Sequence, residues 1–503
     1  MEIYQRSFSK SKLMSCLQCP KKLWLELYRP ELGKNSVATE TVFAMGNTLG
    51  IMARSIYDPE SRGTTIDLPS LGVTKALAQT VELVKERKPV FEAGFSANGA
   101  LAFADALLPV QGGEQPGWRM VEVKGSTSVK SYQRDDVAVQ AFVARKSGLP
   151  LFELAIAHID STWVYEGEND YNGLLVEVDL TEEAFGRGAE VETWIANAQT
   201  VAAKQEEPML KTGEHCNDPF ACSFTYYCAS LAPQPQFPAE WLPRKSAKLK
   251  KLIYMDGLQD MRHVPNEELS SQQLRVKTHT LEGTTYFNAA GAAADLEAHG
   301  FPAFFLDFET INFSVPIWKG TRPYQQIPFQ FSLHRLNHSG ELEHQSFLDL
   351  SGSDPSKLFA EAVLKACEDD GPIYVYNAAF ESHVIKELAG RFPELNQLLQ
   401  KIIVRMVDLL KISQNHYYHP DMRGSWSIKA VLPCIAPTLN YGDLSGVKDG
   451  GMAQVAYQEA IQPDTAAVRR AEIRTELIDY CKLDTYAMVR LWRHFAGRHD
   501  LEI

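Results

Sequence analysis

The residues of this chain best suited to chemistry are acidic side chains in its C-terminal part. Asp307 and Glu309 lie in the segment FFLDFET, whose apolar residues predict a buried strand. Residues two apart on a strand share a face, so both carboxylates point the same way. Further along, Glu381 lies in VYNAAFE and Asp484 in YCKLDT. Tyr480 lies four residues before Asp484, so these two side chains share one side of a predicted helix.

Carboxylates that converge from a strand and a helix can bind divalent cations. Mg²⁺ and Mn²⁺ are hard cations that prefer oxygen ligands. Two such ions held about 4 Å apart by acidic side chains are the arrangement used for in-line displacement at phosphorus. The sequence therefore predicts a site that cleaves phosphodiester bonds in the C-terminal part of the chain.

The same residues resemble the three motifs of the DEDD superfamily of 3′→5′ exonucleases. DFET matches the first motif, NAAFE the second and YCKLD the third, in the order that the family has. The resemblance implies an RNase H-like fold, with Asp307, Glu309 and Asp484 as metal ligands and Tyr480 orienting the attacking water. The chain departs from the family at one position. The second motif normally ends in Asp, and here it ends in Glu381, whose longer side chain can reach a metal through water.

A second set of candidate residues lies in the N-terminal half. Asp105 lies in LAFADALLPV, and Glu122 and Lys124 lie in WRMVEVKGS after a glycine-rich turn, so the two segments predict a hairpin. Glu122 and Lys124 share a face of the second strand. The combination resembles the core of the PD-(D/E)xK nucleases, which have a restriction-endonuclease-like fold. The resemblance implies that the two acids bind metal and that the lysine positions the nucleophile or stabilises the developing charge.

Two further positions relate the N-terminal half to the RecB-type members of that superfamily. Gln140, in the predicted helix DDVAVQAFVARKSG, matches a glutamine that these members carry downstream of the core. They also carry an upstream metal-binding histidine after a glycine, whereas this chain has Gly50 there, in FAMGNTLG. The missing histidine removes one expected ligand from the N-terminal site.

Five of the eight cysteines flank the N-terminal candidate site: Cys16 and Cys19 before it, and Cys216, Cys222 and Cys228 after it. Because there is no secretory signal, a metal or cluster site is a better interpretation than disulfides. Thiolates bind both zinc and iron–sulfur clusters, but this spacing does not fit the CxxC pairs of structural zinc sites. Buried reduced thiols are the alternative. We expect such thiols at the remaining cysteines, Cys367, Cys434 and Cys481.

The cysteine arrangement resembles the iron–sulfur RecB-type nucleases, which include the CRISPR-associated exonuclease family. In that group, one cysteine before the nuclease core and three after it hold a 4Fe–4S cluster. The resemblance implies Cys19, Cys216, Cys222 and Cys228 as the cluster ligands, with Cys16 as an alternative first ligand. Zinc at the same cysteines is the alternative cofactor.

Together the two halves resemble a bacterial family of unassigned function that joins a RecB-like nuclease to an exonuclease-like domain. Residues 320–334 and 424–433 belong to the same resemblance, which covers nearly the whole chain. We therefore expect an α/β protein in three parts. Residues 1–230 form the nuclease domain with the cysteine cluster, residues 231–300 a proline-rich linker and helical connector, and residues 301–503 the exonuclease-like domain.

Composition agrees with this organisation. The length of 503 residues suits two or three domains, and the hydrophobic content of 45% suffices for full cores. No apolar run is long enough to cross a membrane and the N-terminal residues lack a signal region, so we expect a cytoplasmic protein without a membrane partner. The net charge of −13 argues against binding nucleic acid by bulk electrostatic attraction.

Aromatic residues between the first and second C-terminal motifs suggest how a substrate could be bound. Trp318 and Tyr324 lie in a segment rich in proline and glycine and are candidates to stack on bases. Phe329 and Phe331 alternate with polar residues, as core residues of a half-buried strand do, and we expect them in the core.

The function that we expect is that of a metal-dependent nuclease with two active sites. It would use Mg²⁺ or Mn²⁺ to hydrolyse DNA or RNA, in repair or in defence against foreign nucleic acid, with 3′→5′ exonuclease activity at the C-terminal site. The expected partner is a nucleic acid that is single-stranded or has free ends. The alternative is a binding or scaffold protein whose nuclease folds have lost activity, which Gly50 and Glu381 favour. The enzyme is the better interpretation, because clustered acids destabilise a fold that binds no metal.

Overall fold

The computed structural model describes residues 6–34, 37–112, 115–231, 235–297, 299–368 and 370–499. The chain divides into two compact units, and both are mixed α/β. Unit 1 comprises Met1–Pro233 and Phe313–Tyr324, and unit 2 comprises Gln234–Asn312 and Gln325–Ile503. Across the described ranges, no helix combines the length and apolar character needed to cross a membrane.

Within its described residues, unit 1 contains one seven-stranded sheet and a set of helices. Its strands are β1 (Phe8–Ser9), β2 (Thr64–Thr65), β3 (Val90–Ala97), β4 (Ala100–Gly112), β5 (Gln115–Lys124), β6 (Leu151–Ile159) and β7 (Leu175–Asp179). Its helices are α1 (Lys10–Gln18), α2 (Pro20–Tyr28), α3 (Val37–Tyr57), α4 (Leu68–Leu71), α5 (Val73–Leu83), α6 (Ser131–Lys146), α7 (Thr181–Gly186), α8 (Gly188–Ala202) and α9 (Thr225–Ser230).

The sheet of unit 1 has an antiparallel meander followed by a parallel strand. β3, β4 and β5 are antiparallel neighbours, as the predicted hairpin requires for β4 and β5. β6 runs parallel to β5, and α6 provides the crossover that a parallel pair needs. Residues 137–144 of α6 are all buried, and all of them except Gln140 share one hydrophobic core with Trp118 and Met120 of β5. This topology brings β4, β5 and α6 together.

The segment Phe313–Tyr324 lies within the range 301–503 expected for the C-terminal domain, but it is part of unit 1. Its backbone pairs with Tyr165, and Val315 packs with Tyr165 and Leu174 in a small core. Trp318 is only 7% exposed, so the expectation that its ring stacks on bases is wrong. Tyr324 is half-buried, packs against the same small core and donates a hydrogen bond from its hydroxyl to a backbone carbonyl. The Trp318 ring lies edge-on against Phe313, with centroids 5.4 Å apart, so both rings have contacts within unit 1.

Unit 2 contains a five-stranded sheet, a two-stranded sheet and the remaining helices of the described chain. Its strands are β8 (Tyr286–Phe287), β9 (Ala303–Ile311), β10 (Ile327–Leu336), β11 (Leu342–Leu348), β12 (Ile373–Val375), β13 (Met406–Asp408) and β14 (Tyr417–Tyr418). Its helices are α10 (Ala247–Tyr254), α11 (Ser271–Glu282), α12 (Ala289–Glu297), α13 (Ser356–Ala366), α14 (Ala378–Arg391), α15 (Asn396–Val404), α16 (Leu409–His416), α17 (Ile428–Ile435), α18 (Gly450–Ala460) and α19 (Ala467–Phe495). The expected helical connector contains α10, α11 and α12, and all three belong to unit 2.

The larger sheet of unit 2 has the order β11-β10-β9-β12-β13. β9, β10 and β11 are antiparallel, whereas β12 and β13 continue the sheet in parallel with β9. β9 is the central strand of this sheet, and Asp307 is the one residue of β9 that is not fully buried. Because the strand is buried on both faces, its sequence is almost continuously apolar. The long helix α19 packs on β9 and β10. Phe329 and Phe331 are buried, which confirms their predicted place in the core.

One position in unit 2 requires glycine both for its backbone conformation and for the space around it. Gly424 has a φ of +74°, and a Cβ atom there would overlap the carbonyl oxygen of Trp241. Gly283 shares the left-handed conformation, with a φ of +66°, but a Cβ atom there would meet nothing within 4 Å. Comparing substitutions at the two positions therefore separates the cost of backbone strain from the cost of steric overlap.

We predict that Gly424→Ala destabilises unit 2 by about 3 kcal/mol or more, because strain and overlap act together. Gly283→Ala is the matched control and should cost about 1–2 kcal/mol, from the left-handed backbone alone. Urea unfolding measures the free energy of unfolding of both variants. Hydrogen exchange in β9 and α19 then shows whether the loss of stability lies in unit 2. Equal destabilisation by the two substitutions would show that the carbonyl of Trp241 does not constrain this position.

Candidate active centres

Unit 2 brings acidic residues of β9 and α19 together. Asp307 and Glu309 lie on β9, and Cys481 and Asp484 lie on α19, which packs against that strand. The ligand atoms of Asp307, Glu309 and Cys481 all lie within 4.8 Å of one another. The charge of Asp484 contributes to the raised pKa values of both Asp307 and Glu309, so its carboxylate faces theirs. The strand and the helix thus converge on one site.

Glu381 joins this site from a third element. It lies in the first turn of α14 and is only 3% exposed. Its Oε2 atom has no hydrogen-bond partner within the described part of the chain, and its charge helps to raise the pKa of Asp307. A buried polar atom without a partner is unfavourable unless it binds a ligand. This orphaned carboxylate oxygen therefore fits a metal ligand.

Electrostatics give the same conclusion. Burial, together with the charge of Asp484, raises the pKa of Glu309 to about 8. Burial also raises the pKa of Glu381 to about 8 and that of Asp484 to about 6. Burial and three neighbouring carboxylates raise the pKa of Asp307 well above its usual range. A set of buried oxygen donors that repel one another is the set that Mg²⁺ or Mn²⁺ fits, because the cation neutralises them.

Sequence reasoning missed two residues that complete this site. The hydroxyl of Tyr441 donates a hydrogen bond of 2.5 Å to Oδ1 of Asp484. The Lys429 ammonium lies 5.1 Å from the ring centroids of both Tyr441 and Tyr480, and 3.5 Å from the Tyr480 hydroxyl. Lys429 lies in residues 424–433, which the sequence had singled out without giving the lysine a role. Nothing in the sequence indicated Tyr441.

Cys481 is one of the three cysteines expected to be buried thiols, and it is fully buried. Its sulfur lies 4.0 Å from both the carbonyl oxygen and Oδ2 of Asp307. Burial and the nearby carboxylates raise the pKa of Cys481 well above its usual range, so it remains a thiol. The thiol therefore lies beside the carboxylates, which sequence reasoning did not anticipate.

Unit 1 brings the residues of its own predicted site together. Asp105 lies on β4, Glu122 and Lys124 on β5, and Gln140 on α6. Lys124 Nζ lies 2.8 Å from Oε1 of Glu122, and the Gln140 amide donates a 2.5 Å hydrogen bond to Oε2 of the same carboxylate. Oδ2 of Asp105 accepts a 2.7 Å hydrogen bond from the backbone of Val123. Glu122 is thus the centre of this site.

Three further charged residues of this site were not predicted. Lys10, the first residue of α1, lies 2.6 Å from Oε1 of Glu122, and Asp136 on α6 contacts both Lys10 and Lys124. Glu92 lies on β3, where the strand pairing skips it and its φ is +57°. Burial raises the pKa of Glu92, and the charge of Glu122 acts in the same direction. Lys10 and Glu92 come from segments with no recognisable motif, whereas Asp136 lies four residues before Gln140 in a segment that the sequence had singled out.

The charges of the unit 1 site largely compensate one another. Burial and the charge of Glu122 raise the pKa of Asp105 to about 8. Burial alone would raise the pKa of Glu122, but Lys10 and Lys124 outweigh it and lower that pKa below its usual range. Burial opposes protonation of Lys124, yet Glu122, Asp136 and Asp105 together raise its pKa, so it stays charged. Gly50, in α3, contributes no side-chain ligand.

Four of the cysteines named by the sequence line one cavity of unit 1: Cys19, Cys216, Cys222 and Cys228. The Cys222 N–H donates a 2.7 Å hydrogen bond to the carbonyl of Cys216. Cys16 does not line this cavity, because it packs in the hydrophobic core with Leu13. Cys19, and not Cys16, is therefore the cysteine next to α1 that lines the cavity.

Comparisons with known proteins relate this chain to proteins whose descriptions name no activity. A family model described as a domain of unknown function, DUF2779, matches residues 304–427, which include Asp307, Glu309 and Glu381. The chain is also similar to an uncharacterized protein of Mycoplasma pneumoniae described as an MG366 homolog, at 27% identity over 206 residues. The match covers 37% of this chain and 31% of that protein, so the chain spans about a third of the length of this curated relative.

Proposed function

We propose that this chain is a metal-dependent nuclease that hydrolyses phosphodiester bonds of nucleic acids, with one active site in each unit. The observation that carries the proposal is the convergence of Asp307, Glu309, Glu381 and Asp484 from β9, α14 and α19. The burial of Glu309, Glu381 and Asp484 and the unpartnered Oε2 of Glu381 support a site built to hold cations. When bound there, divalent cations supply an activated water and stabilise the leaving oxygen.

The sheet of unit 2 supports the fold that the DEDD motifs imply. An RNase H-like fold has three antiparallel strands extended by parallel ones, and the order β11-β10-β9-β12-β13 agrees with it. The first-motif acids lie on the central strand and the third-motif residues on the last helix. On this basis we assign 3′→5′ exonuclease activity to the site of unit 2.

Tyr480 is the residue that would orient the attacking water in unit 2. Burial and the charges of Asp484 and Glu309 raise its pKa, so its hydroxyl keeps its proton and can donate a hydrogen bond. The nearby Lys429 ammonium is suited to contact a phosphate oxygen of the substrate. Tyr441, which is hydrogen-bonded to Asp484, would hold that carboxylate in place.

The site of unit 1 supports a second phosphodiesterase centre of the PD-(D/E)xK type. The meander β3-β4-β5, the crossover helix α6 and the parallel strand β6 agree with a restriction-endonuclease-like fold. Asp105 and Glu122 would be the metal ligands, and Gln140 fixes the orientation of Glu122. Because Lys124 remains protonated, its role is to stabilise developing negative charge rather than to accept a proton.

The cysteine cavity of unit 1 supports an iron–sulfur cluster rather than one zinc ion. A tetrahedral zinc ion with bonds of about 2.3 Å holds its sulfurs less than about 4 Å apart. Among the described residues, no three of the four cavity cysteines have all their sulfurs within 4.8 Å of one another. A polynuclear cluster has ligands that lie further apart, and the four thiols are the donor set that it requires.

Two observations bear on the alternative of an inactive scaffold. The absence of a histidine at Gly50 weakens metal binding in unit 1, and Glu381 departs from the second motif. However, three buried acids beside the partly buried Asp307 lower the stability of unit 2 unless a cation compensates them. We therefore propose an enzyme whose substrate is a nucleic acid with a free end, bound locally rather than through the net charge of −13.

In unit 2, we predict that Asp307→Asn lowers hydrolysis more than about 100-fold, because a metal ligand is lost. Tyr480→Phe should slow turnover on the order of 10²-fold while metal and substrate still bind, because one positioned hydrogen bond is lost. Glu381→Asp should preserve or raise activity. Single-turnover hydrolysis of a 3′-labelled strand with Mn²⁺, in an Asp105→Asn background, measures these effects.

Tyr486→Phe is the matched control for Tyr480→Phe, because Tyr486 lies on the same helix and takes no part in the acidic site. It should hydrolyse the strand at the unsubstituted rate. Unchanged rates in both Asp307→Asn and Tyr480→Phe would exclude this site as a nuclease centre and leave unit 2 as a binding module.

The two sites should be separable by substitution. We predict that Lys124→Ala abolishes one cleavage activity and leaves that of unit 2 intact, because each site has its own set of acids. Labelled single- and double-stranded DNA and RNA, tested with Mg²⁺ and Mn²⁺, reveal which activity is lost. Lys146→Ala is the control, since Lys146 is exposed and pairs with Glu192. If Lys124→Ala removes all cleavage of every substrate, the two sites do not act independently.

The cysteines give a test of the cofactor. Cys19→Ala should lose bound iron, whereas Cys16→Ala should keep it and lose only about 1–2 kcal/mol of stability from the core. Iron, zinc and acid-labile sulfide are measured per chain after anaerobic purification. Stoichiometric zinc without iron would show that the cysteines bind zinc and not a cluster. Loss of metal in Cys16→Ala would overturn the assignment of Cys19, rather than Cys16, as the first ligand.

A further inference from the structure

Lys10 lies in the acidic site of unit 1, although the sequence analysis gave it no role. Its Nζ atom lies 2.6 Å from Oε1 of Glu122 and 3.2 Å from Oδ2 of Asp136. Lys124 approaches the same two oxygens at 2.8 and 2.5 Å. The side chain of Lys10 is only 21% exposed, so this contact is not an ordinary surface ion pair. Two ammonium groups thus share two carboxylates.

The two lysines differ in how they are held. Lys124 lies on β5, two residues after Glu122, so the strand fixes its position relative to that carboxylate. Lys10 comes from a separate element, α1, and reaches the site through four flexible side-chain bonds. A cation bound at Oε1 of Glu122 would repel both ammonium groups. Lys10 is the one that can withdraw.

We infer that Lys10 occupies the Glu122 carboxylate in the metal-free site, gives it up to a divalent cation, and then contacts the phosphate of the substrate. The inference rests on the nuclease function proposed for unit 1. When all are ionised, Asp105, Glu122, Asp136 and Glu92 carry one negative charge more than Lys10, Lys124 and the Arg54 that pairs with Glu92 compensate. A divalent cation reverses that sign, so the loaded site attracts a phosphodiester. Lys10 is thus a positioning residue for the carboxylate and a contact for the substrate.

Helix α1 also connects Lys10 to the cysteine cavity. Lys10 is the first residue of this nine-residue helix, and Cys19 follows its last residue as the C-cap. Gln18 fastens the same end to the cysteine segment, because its amide donates to the carbonyls of His215 and Phe220 at 2.9 and 2.7 Å. A helix of this length is a rigid spacer of about 13 Å. A group held at the cysteines would therefore fix the end of α1 from which the Lys10 side chain extends.

The test uses the full chain with Asp307→Asn and Asp484→Asn, so that only the site of unit 1 binds Mn²⁺ at an active centre. Mn²⁺ binding without substrate is followed by electron paramagnetic resonance, and hydrolysis is followed in single turnover. Lys10→Ala should bind Mn²⁺ tighter, on the order of tenfold, because a competing charge is removed. It should also hydrolyse on the order of tenfold slower, because a phosphate contact is lost.

Opposite changes in affinity and rate distinguish this role from a structural ion pair, whose loss would weaken both. Lys12→Ala is the matched control, because Lys12 lies on the same helix and pairs with Glu26 at 2.9 Å. It should change neither quantity. Lys10→Arg should restore the rate. Weaker or unchanged Mn²⁺ binding in Lys10→Ala would overturn the inference.

The connection through α1 is tested by a double-mutant cycle. Cys228→Ser removes a cysteine ligand that lies outside α1. It should change Mn²⁺ affinity at the active site, and this change should vanish in the Lys10→Ala background. Equal changes in both backgrounds would overturn the connection. If Cys228→Ser does not fold, the cycle uses protein stripped of its cysteine-bound metal and then supplied with Mn²⁺.

Failure of the inference is distinguishable from failure of the proposed function. If the chain with only the unit 1 site neither binds Mn²⁺ nor cleaves any strand, the nuclease function of unit 1 is wrong, and the role of Lys10 falls with it. If it binds and cleaves but Lys10→Ala behaves like Lys12→Ala, only the role of Lys10 is wrong.

Discussion

Negative charge held out of water is the constraint on which both units depend. In unit 2, the central strand β9 and the helix α19 keep Asp307, Glu309 and Asp484 together although burial and mutual repulsion oppose their ionisation. In unit 1, basic side chains offset the buried negative charge, because Lys10 and Lys124 contact Glu122 directly. Without a cation, raised pKa values favour bound protons on the acids of unit 2, whereas ammonium groups offset the charge of Glu122 in unit 1. A cation would therefore displace protons from the carboxylates of unit 2 and ammonium groups from those of unit 1.

The parts of the structure that follow local rules could be predicted from the sequence. The apolar run before Asp307 indicated a buried strand, and the four-residue spacing of Tyr480 and Asp484 indicated one face of a helix. The residues that enter each site from distant parts of the sequence could not be predicted. Tyr441 reaches Asp484, and Lys10 reaches Glu122, from segments whose own composition is unremarkable. Side chains of this kind are placed by tertiary packing, which leaves no period or spacing in the sequence.

Helical phase explains why the sequence could not choose between Cys16 and Cys19. Cys16 lies on α1 three residues after Leu13, so both point into the core. Cys19 follows the same spacing, but α1 ends at Gln18 and the extended backbone of Cys19 turns its side chain away from that face. A change of position by three residues, across the helix end, thus separates a thiol in the core from a thiol that lines the cavity. Spacing alone carries no record of where the helix stops.

The segment Phe313–Tyr324 connects β9 to β10 of unit 2 but completes a core of unit 1. The polypeptide therefore passes between the units three times, and neither unit is a continuous stretch of chain. A fragment that began at residue 301 would expose Val315 and Trp318 to water, and unit 1 would lack part of its interior. Such an arrangement cannot arise by simply joining two finished domains end to end. Nor can the units be exchanged as independent modules, because recombination at the proline-rich linker would leave this piece of unit 1 in the wrong partner.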